Sequence, residues 1–196
     1  MTGVQTCALP IYQQPDAALD AVEEAERAHL VSAEPAAGRE MRYRFVHELV
    51  RQTLAETLSM PRRQRLHARV ADAIESVYAA NLEAQASALA PHLYQAGAAA
   101  DPEKTANYLT IAAQKARANA AHEEALAHLE NALSVWEGEE SVRVAELTAQ
   151  KAAVLLSLRR PDEAADHCRK AIALFENAGA MADAARAGSS LAMIHL

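Results

Sequence analysis

The sequence predicts a mainly α-helical chain with a small β-hairpin near its start and stacked pairs of helices after it. Three observations point there. Aromatic residues make up only 4% of the chain and alanine is abundant, which favours closely packed helices with small contact residues over a strand-rich sandwich. Apolar residues recur at helical spacing along most of the chain. A stretch beginning at His122 returns, without gaps, at an offset of 39 residues.

Composition sets the outer bounds. At 196 residues with a 51% hydrophobic share, the chain can bury a core as one domain or two small ones. The formal net charge of −7 argues against wholesale wrapping of nucleic acid. No apolar run approaches the roughly 20 residues that span a bilayer, so no membrane contact is expected.

The opening MTGVQTCALPI resembles nothing after it. Gln5 and Thr6 interrupt its apolar residues and no basic residue precedes them, so it lacks the pattern of a secretory signal. The nucleotides ACTGGAGTTCAGACGTGTGCTCTTCCGATC, which look like a short-read sequencing adapter, translate as Thr2 through Ile11. Residues 1–11 are therefore expected to be a non-native, adapter-derived segment, with natural sequence starting near Tyr12. Without Cys7 only Cys168 remains; no intrachain disulfide can form, and a reducing cytoplasm fits.

Residues 12–60 form the first region. DAALDAVEEAERAHL places Leu19, Val22, Ala25, Ala28 and His29 or Leu30 on one helical stripe, with acids opposite and Asp16 as a candidate N-cap. Pro35 and Gly38 then punctuate a loop, and Met41, Tyr43 and Phe45 alternate with Arg42 and Arg44. A hairpin is expected, with strands near 29–33 and 41–46. HELVRQTLAETL returns to helical spacing through Leu49, Val50, Leu54 and Leu58. Helix, hairpin and helix in that order read as the C-terminal part of a winged-helix domain.

Residues 61–100 read as a helical linker. Pro61 suits a first helical turn, where its missing N–H costs nothing, and Leu66, Val70, Ala73, Ile74 and Val77 are expected to face the core. A second helix is expected over about 83–97, kinked or restarted at Pro91. Arg62, Arg63, Arg65 and Arg69 form a basic cluster, read as a solvated face or as salt-bridge partners of the acidic helix; no aromatic residue interleaves them as a nucleic-acid surface would want.

Residues 101–196 repeat. HEEALAHLENALSVWE and PDEAADHCRKAIALFE share Glu124/Glu163, Ala125/Ala164, His128/His167, Ala132/Ala171 and Glu137/Glu176, with Leu133/Ile172 and Trp136/Phe175 alike in type. Ala113 and Ala152 stand twelve residues before Ala125 and Ala164, so each unit offers small residues at three points of close helix approach. This resembles tetratricopeptide repeats, with a spacing longer than the usual 34 residues and with Leu109 and Thr148 where the strict pattern has large aromatics. Asp101 is a candidate N-cap before Pro102, and Gly138 and Arg160-Pro161-Asp162 mark later breaks. A third pair begins near Ala182, with Ala192 at its small-residue position, and is expected to be truncated before its second helix.

From RYRFVHELVRQTLAETLSMPRRQRLHARVADAIE onward the order of motifs resembles the C-terminal arm of bacterial STAND-class signal-transduction ATPases. Large LuxR-type transcriptional regulators and ATPase-linked adenylate cyclase-like proteins share that outline; the resemblance covers about residues 16–196. It implies a nucleotide-binding core before the winged helix, an α–α superhelix of tetratricopeptide-like pairs, and ATP or ADP with magnesium in the full-length parent. It also implies that His47, in Phe45-Val46-His47-Glu48, corresponds to the MHD-type histidine that contacts ADP phosphate; Val46 and Glu48 depart from that motif.

Direct chemistry is not expected of this chain. No G-x-x-x-x-G-K-[ST] string occurs, so it does not carry the ATPase site itself. His122-Glu123-Glu124-Ala125-Leu126 has Leu where a zinc helix needs its second histidine. Gly188-Ser189-Ser190 is not a nucleophile elbow, and Cys168 sits on an apolar stripe. His128 and His167 read as interhelix packing or hydrogen-bonding positions.

The expected role is a non-catalytic regulatory arm: its winged-helix part contacts and restrains the nucleotide-binding domain, and the repeats bind a protein or small-molecule inducer. The parent would be an ATPase joined to a cyclase or a DNA-binding effector. A free-standing tetratricopeptide scaffold is the first alternative. A winged-helix DNA-binding protein is the second, opposed by Asp16, Asp20, Glu23, Glu24 and Glu26 on the helix before the hairpin.

Overall fold

The computed structural model describes residues 15–35, 41–136 and 141–194, with side chains described from 17 to 192 within those stretches. The adapter-like segment 1–11 and Gly38 and Gly138 lie outside them. The fold is mainly helical, with one two-stranded antiparallel hairpin ahead of a series of helices. It divides into two compact units, one ending at Ala99 and the other beginning at Ala100.

In the first unit, α1 (Pro15–Arg27) leads into β1 (Val31–Pro35) and β2 (Met41–Phe45), paired with Val31 opposite Phe45 and Pro35 opposite Met41. β2 begins at Met41 as expected, whereas β1 begins two residues later than expected, because α1 ends in a left-handed residue, His29 (φ 55°). The N–H groups of His29 and Leu30 return to the carbonyls of Glu26 and Ala25, a Schellman ending that satisfies two terminal carbonyls. The helix opens on Pro15, so Asp16 falls inside its first turn rather than at the cap.

The inner face of α1 also differs from the expected stripe. Ala18 is buried and Val22 and Ala25 are half-buried, whereas Leu19, Ala28, His29 and Leu30 are exposed. Ala18 and Ala25, about two turns apart, put small side chains toward the hairpin, and Leu19 is left on the outside.

α2 (Glu48–Thr57) follows directly and contains no buried residue. α3 (Met60–Val77) starts with Pro61 in its first turn, as its chemistry requires. It buries Ala71, Ala73 and Ile74; Leu66 and Val70 are half-buried, and Val77 is exposed. α4 (Ala86–Ala96) packs against α3 through Leu89, Ala90 and Leu93 and runs unbroken through exposed Pro91. The restart predicted at Pro91 occurs upstream, where a 3-10 turn at Glu83–Gln85 feeds into the helix. Gly97 ends it at φ 56°, where a Cβ would stand 2.8 Å from Gln64 Nε2.

The second unit comprises α5 (Pro102–Ala118), α6 (His122–Val135), α7 (Val142–Ser157), α8 (Pro161–Asn177) and α9 (Met181–Ile194), each packed on the next. Asp101 caps α5 by accepting from the Lys104 N–H at 2.7 Å, and Ser141 caps α7 through the Val144 N–H at 3.3 Å. All six repeat alanines, Ala113, Ala125, Ala132, Ala152, Ala164 and Ala171, are at most 2% exposed. Leu109 and Thr148, one turn before Ala113 and Ala152, are buried too, and the Thr148 hydroxyl donates to the Val144 carbonyl at 2.7 Å, so that hydroxyl is satisfied.

Two ties link successive pairs: Arg143 on α7 reaches Glu103 on α5 at 2.8 Å and lies over the Trp136 ring, and Lys151 on α7 meets Glu130 on α6 at 2.9 Å. α9 packs on α8 through Ala184 and Ala187 in a cluster with Phe175 and Leu174. Ala192, expected at the small-residue seam, is exposed instead.

Candidate functional site

His47 occupies the N-cap of α2, with extended backbone (φ −128°, ψ 128°), immediately after β2 and its Val46 link. Its carbonyl accepts from Val50 N–H, but its side chain makes no capping hydrogen bond and is exposed. Neither capping nor packing under the hairpin therefore accounts for the imidazole. The first-turn amides of α2 make this junction mildly electropositive. Glu48, the nearest acid, is held by Arg51 one turn on, and that bonding keeps its carboxyl below the usual carboxylate range.

Next to this junction α1, the hairpin and α2 enclose an apolar groove of about 250 Å³, lined by Ala18, Val22, Ala25, Leu30, Tyr43, Phe45 and Leu54. Leu54 at the groove is 46% exposed, and Leu49, about 140° round the helix from it, is 76% exposed. Of the four residues expected on one stripe, Val50, Leu54 and Leu58 share a helix face, with Val50 and Leu58 half-buried and Leu54 exposed, whereas Leu49 lies on another face. Arg62, Arg65 and Arg69 are exposed and Arg63 half-buried along α3, the arrangement of a solvated face.

The structure also brings together two side chains that the sequence leaves 25 residues apart. His67 on α3 and His92 on α4 face each other with their Nδ1 atoms 2.9 Å apart and ring centroids 5.1 Å apart. One Nδ1–H donates and the other Nδ1 accepts, so the accepting ring is neutral, and burial favours the neutral form of the donor as well. Desolvation, and then the charge of Arg63, lowers the pKa of His67; desolvation, and then His67, pushes His92 down to about 4. The pair was not legible in sequence because nothing in one helix gives its rotation against another; the one signal is that Leu66-His67 and Pro91-His92 each place the imidazole beside a helix face that the core needs.

Cys168 is buried, with desolvation raising its thiol pKa, which suits a small core residue and not a nucleophile. Ser189 and Ser190 lie inside α9 and bond back to the Ala185 and Arg186 carbonyls. His128 is buried, with Nε2 3.6 Å from Glu124 and no hydrogen-bond partner, so it fills space. Burial and the nearby Lys151 lower the pKa of half-buried His167. No group of three or more His, Cys, Asp or Glu side chains converges on one point among the described residues, and none of their helices is long and apolar enough to cross a membrane. Comparisons with protein-family models, with curated proteins and with solved structures find no match to this chain.

Proposed function

We propose that the chain is a non-catalytic regulatory arm of a nucleotide-dependent signalling or transcriptional regulator. In this reading the unit holding α1, the hairpin and α2 restrains a nucleotide-binding core, and the helix pairs form an α–α superhelix whose surface takes a protein or small-molecule inducer. An inducer that prefers the open arrangement over the closed one shifts the switch by that difference in affinity. The observation that carries the reading is α2: a helix directly after the hairpin with no buried residue, Leu49 76% exposed on it, and the exposed His47 side chain at its positive end. A nucleotide-binding core docked there buries Leu49 and brings ADP phosphate to the imidazole.

The same chemistry disfavours direct DNA binding. Asp20, Glu23, Glu24 and Glu26 are exposed on α1, where a reading helix needs cations. A free-standing tetratricopeptide scaffold leaves the exposed Leu49 without a purpose.

Genomic DNA upstream of Asp16 tests the proposal. A phosphate-binding loop encoded in frame is the expected result; an ordinary start codon just before Asp16 would overturn it in favour of the scaffold. In the parent protein, His47→Ala is expected to speed ADP release and raise basal signalling, and unchanged nucleotide retention rejects the sensor role.

A further inference from the structure

We propose that His67 and His92 form a two-imidazole binding site for a late first-row divalent cation, Cu²⁺ above Ni²⁺ and Zn²⁺, clasping α3 to α4. The spacing of the two nitrogens is already that of adjacent ligands on one ion. Two nitrogens each about 2.05 Å from a metal stand about 2.9 Å apart at a right angle and about 3.3 Å apart at the tetrahedral angle. The two Nδ1 atoms here are 2.9 Å apart. Rotation of each imidazole about its Cβ–Cγ bond is the change needed to aim both lone pairs at a shared point instead of at each other.

Protonation and surroundings suit the assignment. In the metal-free contact one ring carries its proton on Nδ1; on coordination that proton moves to Nε2, so both rings remain neutral and no net proton is released. The rings are half-buried between α3 and α4, and α4 has no charged side chain in its sequence ASALAPHLYQA. Arg63, one turn before His67, is the cation that acts on the pair and opposes a metal ion. Among the described residues no third His, Cys, Asp or Glu joins them, so water completes the coordination and affinity is micromolar, not that of a closed structural zinc site. Imidazole donors with open positions select Cu²⁺ first by the usual divalent order.

Titration of the full chain with CuCl₂, NiCl₂ and ZnCl₂, followed by calorimetry and by thermal unfolding, tests this directly. One ion per chain should bind in the order stated and raise the melting temperature, and the Cu²⁺ electron paramagnetic resonance spectrum should show two equivalent nitrogens. The double variant His67→Gln/His92→Gln keeps the remaining histidines and should lose this binding, while either single variant weakens it about tenfold or more. Arg63→Gln should tighten it several-fold. Where a variant does not fold, selective paramagnetic broadening of the His67 and His92 ring signals in the unaltered chain supplies the answer. Binding that the double variant retains, a spectrum with a single nitrogen, or broadening centred on other histidines would overturn the site.

Discussion

Ala120 and Arg159, 39 residues apart, share the same left-handed backbone conformation, with φ of 57° and 59°. Each stands at the C′ position of a Schellman ending. The N–H groups of Ala120 and Ala121 bond to the Arg117 and Ala116 carbonyls, and those of Arg159 and Arg160 to Leu156 and Leu155. The turn between α8 and α9 repeats the pattern at Gly179, φ 73°. The repeat thus extends from side chains to backbone, and two of these three Schellman turns use residues that left-handed geometry disfavours. Ala120→Gly and Arg159→Gly are each expected to stabilise the chain by about 0.5–1 kcal/mol, the relief of strain exceeding the entropy glycine loses on folding. Gly179→Ala should cost about 1 kcal/mol although open space surrounds its missing Cβ, since the strain is in the backbone alone. Urea unfolding of the three variants checks all three signs; a destabilised Ala120→Gly would refute the account.

The alanine seam gives a second expectation. Ala132 and Ala171 are fully buried at equivalent points of α6 and α8, where the neighbouring helix leaves no room for a longer side chain. Leucine at either position should destabilise by about 1–3 kcal/mol or more through overpacking. Leucine at exposed Ala153 on α7 should change stability by no more than about 0.5 kcal/mol. Equal costs at buried and exposed positions would show that the seam is not a close contact.

How far the sequence alone carries can be traced through particular residues. The repeat alanines, Asp101 as a cap and Pro61 in a first turn were legible because each depends on local spacing or on one residue's own chemistry. The inner face of α1 was not. Leu19 outranks Ala18 on hydrophobicity, but close approach to the hairpin selects the smaller side chain. Ala120 and Arg159 gave no warning of left-handed geometry, because the turn signal sought was glycine or proline. The His67–His92 contact depends on how two helices are rotated against each other, which no single-helix periodicity encodes. His47 was placed at a strand-to-helix junction by the change of period after Phe45, and it stands at one.

Acid should weaken the α3–α4 contact in the metal-free chain. Both histidines have folded-state pKa values below the unfolded value of about 6.5, His92 at about 4, so the unfolded chain binds more protons between those limits. Their contribution is fully present above about pH 6.5 and is lost progressively as pH falls towards about 4. Unfolding free energy measured with a chelator present, from pH 7 to pH 4.5, should therefore fall more steeply in the unaltered chain than in His67→Leu/His92→Leu. Parallel slopes would mean that the two rings titrate alike in both states.

Leu49 on α2 separates a docking role from a structural one. Leu49 lies 76% exposed, so Leu49→Ser removes few contacts within this chain and should alter its unfolding free energy by no more than about 0.5 kcal/mol. If a nucleotide-binding core covers that face in the parent protein, the same substitution there should loosen the resting state, with faster ADP release and higher basal activity, because a buried leucine contact at the interface is lost. The two measurements pull apart. Neutrality in the isolated chain combined with loss of restraint in the parent assigns Leu49 to the interface. Neutrality in both removes α2 from it, and a large loss of stability in the isolated chain alone would mean that Leu49 serves this unit's own fold.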